Sequence, residues 1–200
     1  MSLSITYDTT YANWTISDYL ADWAGYFGDA NHREGEVENG VNTGGFYPGS
    51  LSGTQYALSS PNSDAGFIAG GSLTYSLFAD PAHTVYGTLN SISLGTDVTY
   101  SATSGFGFAP GDQEVSFNGL GLSSLLSEGH SGVVHQVIYG LMSGDATALG
   151  NALDGILAAY GVDTDDTFDV VAAALAAGPL SVTPAEAVGV QAVEDYALAA

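Results

Sequence analysis

Apolar positions along the chain keep three rhythms in turn. Ser4 to Tyr7 alternates and predicts a first strand. Tyr19, Leu20, Trp23 and Phe27 then recur at three- and four-residue intervals, the stripe of a helix with one face on a core. Ser17 or Asp18 is expected at the start of that helix and Gly28 at its end. Residues 28–50 hold Gly, Asn, Glu and Pro without any period. A structureless stretch of about 20 residues is better read as functional than as a plain connector.

From Gly53 to Phe117 the pattern is β, with short runs of Tyr, Thr, Val, Ile, Leu and Phe broken by Gly, Pro, Asp and Asn. Leu73, Tyr75 and Leu77 fall on one face of a strand, Thr74 and Ser76 on the other. Asp80-Pro81 breaks this strand, and Thr84 to Leu89 reads as its antiparallel return. Tyr75 and His83 are thereby expected on opposite sides of one hairpin mouth.

After about residue 119 the period becomes helical. Val134, Ile138 and Leu141 form a core stripe, and His135, Tyr139 and Met142 an adjacent one. Asn151 to Tyr160 and Thr167 to Ala177 predict two more helices, the last closed by Gly178-Pro179. Strands in one block and helices in others give an α+β chain: a single domain with a curved antiparallel β-sheet and helices packed on one side.

Composition narrows the function. The 200 residues, 46% of them hydrophobic, suffice for one substantial core. Against 22 acidic residues stands one cation, Arg33, for a formal net charge of −21. Such a field disfavours nucleic acid and anionic membranes and favours a soluble monomer. With no cysteine, disulfides, thiol catalysis and covalent haem attachment are excluded. The N-terminus lacks the basic and apolar regions of a cleavable signal peptide. The longest apolar run, Val170 to Ala177, is far short of the roughly 20 residues of a membrane span.

The chemistry left to consider is metal binding by oxygen and nitrogen. Tyr75, His83 and His32 form a tyrosine–histidine–histidine set in a chain with four histidines. Phenolate is a hard anion suited to ferric iron, and neutral imidazole is a general iron ligand. An imidazole beside the tyrosine can take the phenol's proton. On residues alone, a sheet tyrosine that merely packs its ring is the commoner outcome among 12 tyrosines, a solvated loop histidine is the commoner fate for His32, and Arg33 reads equally as a generic surface residue. His130 and His135 are taken as structural, because a five-residue gap does not put both on one helix face. Asp163-Thr164-Asp165-Asp166 lacks the glycine and distal glutamate of an EF-hand and reads as an acidic turn capping the next helix. Nucleophile-elbow, zinc-protease and phosphate-loop motifs are absent. A secreted carbohydrate-active enzyme, or an acidic β-rich adhesion or calcium-binding module, is the alternative.

Several ordered runs decide between these readings. Phe27-Gly28-Asp29, Asn31-His32, Gly70-Gly71-Ser72-Leu73-Thr74-Tyr75, Phe78 and Pro81-Ala82-His83-Thr84 resemble the secreted bacterial HasA-type haemophores, as does Gly132 to Asp145. The likeness extends over nearly the whole chain. It implies a non-enzymatic extracellular carrier that captures haem, including from host haemoproteins such as haemoglobin, and delivers it to an outer-membrane receptor for iron acquisition. The cargo would be ferric haem b, held non-covalently, with Tyr75 and His32 as axial ligands and His83 supporting Tyr75. Arg33, Val37, Tyr56, Phe78, Tyr139 and Met142 would contact the haem. Residues 1–180 would form the binding domain and 181–200 a flexible tail. That tail, with Pro184 and the Ala-rich end Asp195 to Ala200, resembles an uncleaved signal for ABC-type secretion machinery. Acidification near the free imidazole value of about 6.5 would promote release.

Overall fold

A computed structural model of the chain describes residues 2–28 and 44–180. The first strand, β1 (Ser4–Tyr7), leads to helix α1 (Ile16–Phe27). Thr15, not Ser17 or Asp18, caps that helix. Its extended backbone turns the hydroxyl back to accept from the Asp18 amide at 3.0 Å. Asp18 thus lies inside the first turn, where a negative charge suits the helix dipole. Gly28 ends α1 in the left-handed conformation that a side chain disfavours.

Strands β2 (Gly45–Pro48), β3 (Ser52–Ser59), β4 (Ala65–Ser76) and β5 (Thr84–Thr96) follow as a meander. After a small ribbon of β6 (Val98–Ser101) and β7 (Gly105–Phe108) comes β8 (Gln113–Ser124). The main sheet has the order β1-β8-β5-β4-β3-β2, with every pair antiparallel. Helices α2 (Val133–Met142), α3 (Thr147–Leu157) and α4 (Phe168–Ala177) complete the chain.

β4 ends at Ser76, before Leu77, and β5 runs on to Thr96, past Leu89. Three further boundaries differ from expectation. Residues 45–48 lie inside the stretch read as loop, yet they pair with Ala57 to Gly53 of β3. A partner strand supplies order that a four-residue segment cannot show by itself. β8 continues to Ser124, past the predicted change of period at residue 119. Here Asn118 pairs with Ser91 and Leu122 with Leu89, so residues 119–121 sit opposite Asn90 in an irregularity. That insertion spaces the buried Phe117 and Leu120 three apart and imitates a helix. The third helix begins at Thr147 rather than Asn151, with the Asp145 carboxylate accepting from the Thr147 amide, and so includes the buried Leu149.

The core lies between one face of the sheet and the helices. Phe67 and Leu73 of β4, Leu89, Ile92 and Leu94 of β5, and Val115 and Phe117 of β8 face the helices. The expected α2 stripe of Val134, Ile138 and Leu141 is fully buried with them. Each such side chain contributes roughly 1.5–3 kcal/mol of transfer free energy. On the opposite face the ribbon covers β3, where the Gln55 side-chain amide donates to the Phe106 carbonyl at 3.1 Å. Glu114 of β8 accepts from the Tyr19 hydroxyl at 2.9 Å and ties α1 to the sheet. Burial, then that carboxylate, pushes the Tyr19 phenol far above its ordinary range.

The acidic turn at 163–166 does not cap α4, contrary to expectation. Thr167 occupies that position with no side-chain cap bond. Asp163 and Asp166 accept from amides within the turn, and Asp165 accepts from Ser17 at 2.9 Å, fastening the turn to the start of α1. His32, Arg33, Val37 and the tail from residue 181 lie outside the described residues.

Candidate functional site

Tyr75 stands one residue from the end of β4, paired across the sheet with Val85 of β5. The hairpin mouth closes at Ser76 and Thr84, so the seven residues 77–83 form its loop. Ser76 folds this loop inward, donating from one hydroxyl towards the carbonyls of Ala79 (2.8 Å) and Pro81 (3.0 Å). His83 closes the loop with φ +54°, a backbone angle rare outside glycine. In that bend its Nδ1 lies 2.7 Å from the Tyr75 hydroxyl. The rings are 6.0 Å apart at 58°, so the contact is an in-plane hydrogen bond rather than a stack.

Tyr75 is half-buried, packed against the edge of the core. Its phenol O–H can donate to the Nδ1 lone pair of a neutral imidazole. When the oxygen instead bonds an electrophile, the proton can move to Nδ1 and the phenolate then accepts from it. The pair is therefore an oxygen donor with a proton acceptor already in place.

The other proposed contact residues divide. Tyr56 is buried and its hydroxyl donates to the Met142 thioether at 3.5 Å, linking β3 to α2. Burial, then the nearby Tyr75, pushes the Tyr56 phenol upward, so it stays protonated. Phe78 lies at the hairpin tip with 90% of its surface exposed. Tyr139 lies along α2 with its ring stacked on His135 at 5.5 Å and 10°. It also lines a groove of about 660 Å³ between α2 and α3, with His130, Gln136, Asn151 and others. The groove's lining includes neither Tyr75 nor Met142.

His130 and His135 are brought together after all, with ring centroids 4.5 Å apart and planes 10° from parallel. One helix face does not do this. His130 belongs to a 3-10 turn at Leu126–Ser131 that precedes α2, and the bend between the two segments supplies the alignment. Spacing arguments that assume a continuous helix miss such a pair.

Among the described residues, no three His, Asp or Glu side chains converge as a metal site. A porphyrin brings four nitrogens of its own and needs only one or two protein donors. A tyrosine oxygen with an imidazole partner at 2.7 Å and Tyr56 nearby fits that requirement better than it fits a free ion.

Comparison with known proteins agrees. A sequence profile of the family described as Heme-binding protein A (HasA) matches residues 1–200. The chain is 54% identical over 179 residues to Hemophore HasA of Serratia marcescens, covering 89% of this chain and 94% of that protein. It resembles the holo hemophore HasA of Yersinia pestis with a TM-score of 0.68 and 31% identity, over 84% of this chain and 95% of the other. A hexagonal apo form of the Yersinia pestis protein gives 0.69 and 30%, over 84% and 94%.

Proposed function

The chain belongs to the HasA family of haem-binding proteins and is an extracellular haem carrier, and we propose that Tyr75 is the residue through which it grips the iron. The observation that carries this reading is the 2.7 Å contact between the Tyr75 hydroxyl and His83 Nδ1 at the hairpin mouth. His83 takes the phenol's proton as the oxygen becomes an iron ligand. A hard phenolate favours ferric over ferrous iron, so the proposed cargo is ferric haem b, held non-covalently because no cysteine can form a thioether link. His32 supplies the second axial nitrogen. With both axial positions filled, oxygen and peroxide chemistry has no open site, as befits a carrier family rather than an enzyme.

Apolar contact provides most of the affinity for so large and flat a molecule. Tyr56, Tyr139 and Met142 are proposed for that contact from the sheet and α2, Phe78 from the hairpin tip, and Val37 and Arg33 from the segment that carries His32. Arg33, the sole cation of the chain, offsets repulsion between the haem propionates and a net charge of −21. The protein would work as a monomer, leave the cell through ABC-type secretion machinery, and pass haem from host haemoproteins such as haemoglobin to an outer-membrane receptor.

Titration of the haem-free protein with hemin tests this. A sharp Soret band should saturate at one equivalent, and Tyr75→Ala should weaken binding at least about 100-fold, the loss of roughly 3 kcal/mol of ligation and charge-assisted hydrogen bonding. A Tyr75→Ala protein that binds hemin as tightly as the parent would remove the tyrosine from the account.

A further inference from the structure

The loop that carries His83 is gripped on both sides by histidines to which the haem-carrier reading gives no task. His130 Nε2–H donates to the Ala82 carbonyl at 3.2 Å. The Val85 amide donates to His135 Nδ1, also at 3.2 Å. These two bonds bracket His83, the residue whose backbone is left-handed. A non-glycine residue in that region costs on the order of 1 kcal/mol or more and persists only where its surroundings hold it.

The bracket is built as one unit. His130, His135 and Tyr139 stack in sequence, each pair of rings within 10° of parallel. Parallel planes let the in-plane nitrogens of both imidazoles meet the same backbone segment. His135 is buried, with 6% of its surface exposed, and an imidazole there costs free energy unless its nitrogens are used. Its Nδ1 is used on an amide outside its own helix, 50 residues away in sequence.

We propose that His130 and His135 are positioning residues that clamp the hairpin loop at Ala82 and Val85, and so keep His83 Nδ1 within reach of the Tyr75 hydroxyl. The consequence for haem rests on the reading of Tyr75 as ligand. The clamp itself belongs to the protein without haem and can be tested there.

Two substitutions at one position separate the bond from the packing. His135→Leu fills the space but removes the acceptor. His135→Asn places an amide oxygen near the position of Nδ1 and should rescue. In the haem-free protein, hydrogen exchange of the Val85 amide should quicken at least about tenfold in His135→Leu and stay near the parent rate in His135→Asn. In the loaded protein, haem transfer to excess apomyoglobin should quicken by a similar factor in His135→Leu. Placed on a His83→Ala background, His135→Leu should add nothing, because its effect runs through His83.

Unchanged Val85 exchange would overturn the clamp, and an equal acceleration of haem loss in both backgrounds would reduce His135 to general packing. Should Tyr75→Ala keep its haem, the functional reading fails while the Val85 result still decides the clamp. If His135→Leu does not fold, His130→Phe serves. It sits at an exposed position and keeps the ring stack, but loses the bond to Ala82. The His83 amide–Hα coupling should then leave its left-handed value and haem transfer should quicken; a coupling that stays put would contradict the proposal.

Discussion

At the scale of single residues, the site turns on where protons sit. Tyr75 needs a neighbour that accepts one, and His83 Nδ1 at 2.7 Å is placed to do so. His135 must remain neutral, since a protonated Nδ1 cannot accept from Val85. Burial, then the adjacent His130, holds the His135 imidazole down at about 4. A free imidazole titrates near about 6.5. Between these values the unfolded chain binds a proton that the folded chain refuses, so the contribution of His135 to stability is complete above about 6.5 and is lost as pH falls towards 4. The loss should be roughly 1–2 kcal/mol at pH near 4.5, a figure reduced for solvent reaching the open side of the stack. Urea melts of the parent and His135→Asn at neutral and mildly acid pH check this. The difference between them should change with pH, because asparagine does not titrate, and parallel curves would contradict it.

The sequence made the tyrosine and its partner legible, because a strand broken at Asp80-Pro81 and resumed at Thr84 leaves the two little room to separate. It did not make the His130–His135 stack legible. That pair depends on the bend between a 3-10 turn and a helix, which no periodicity records.

At the scale of elements, the β4–β5 hairpin is the part on which the site is mounted. Its helix-facing alternation shifts phase once: Leu89 is followed by Ile92 and Leu94, with Asn90 as the extra residue of a bulge. Gly87 lies opposite Leu73, two positions from Tyr75, with φ +115°. A Cβ there would run into the Ser72 carbonyl oxygen. Gly87→Ala should therefore cost at least about 2 kcal/mol, combining backbone strain with overpacking, and should weaken hemin binding along with stability. Denaturant midpoints and a hemin titration measure both; a variant as stable as the parent would mean the strands separate freely at this point.

Long amphipathic stripes were readable in advance, since α1 and α2 each bury a face at helical spacing. Short or irregular strands were not. β2 is defined by its partner, and the end of β8 by an insertion opposite Asn90.

For the whole molecule, charge and core are unusually separate. The net charge of −21 rests on a fold whose described interior is held by aliphatic and aromatic contact. The acidic residues of the 163–166 turn are engaged with amides and with Ser17. This weakens the case for the turn as a calcium loop and leaves the α+β carrier architecture as the feature that matters. Residues 181–200 are proposed as a secretion tail outside the folded domain. A chain ending at 180 should keep the melting temperature and the hemin stoichiometry of the full chain, while export from a cell with the matching secretion machinery should be lost. A drop in melting temperature of several degrees would show instead that the tail is part of the folded domain.

An iron–phenolate bond from Tyr75 has a vibrational signature that resonance Raman spectroscopy of the hemin complex reads. Excitation into the phenolate-to-iron charge-transfer band should enhance tyrosinate ring modes in the parent protein, and those modes should vanish in Tyr75→Phe. Their absence from the parent complex, or their persistence in Tyr75→Phe, would rule out Tyr75 as the iron ligand.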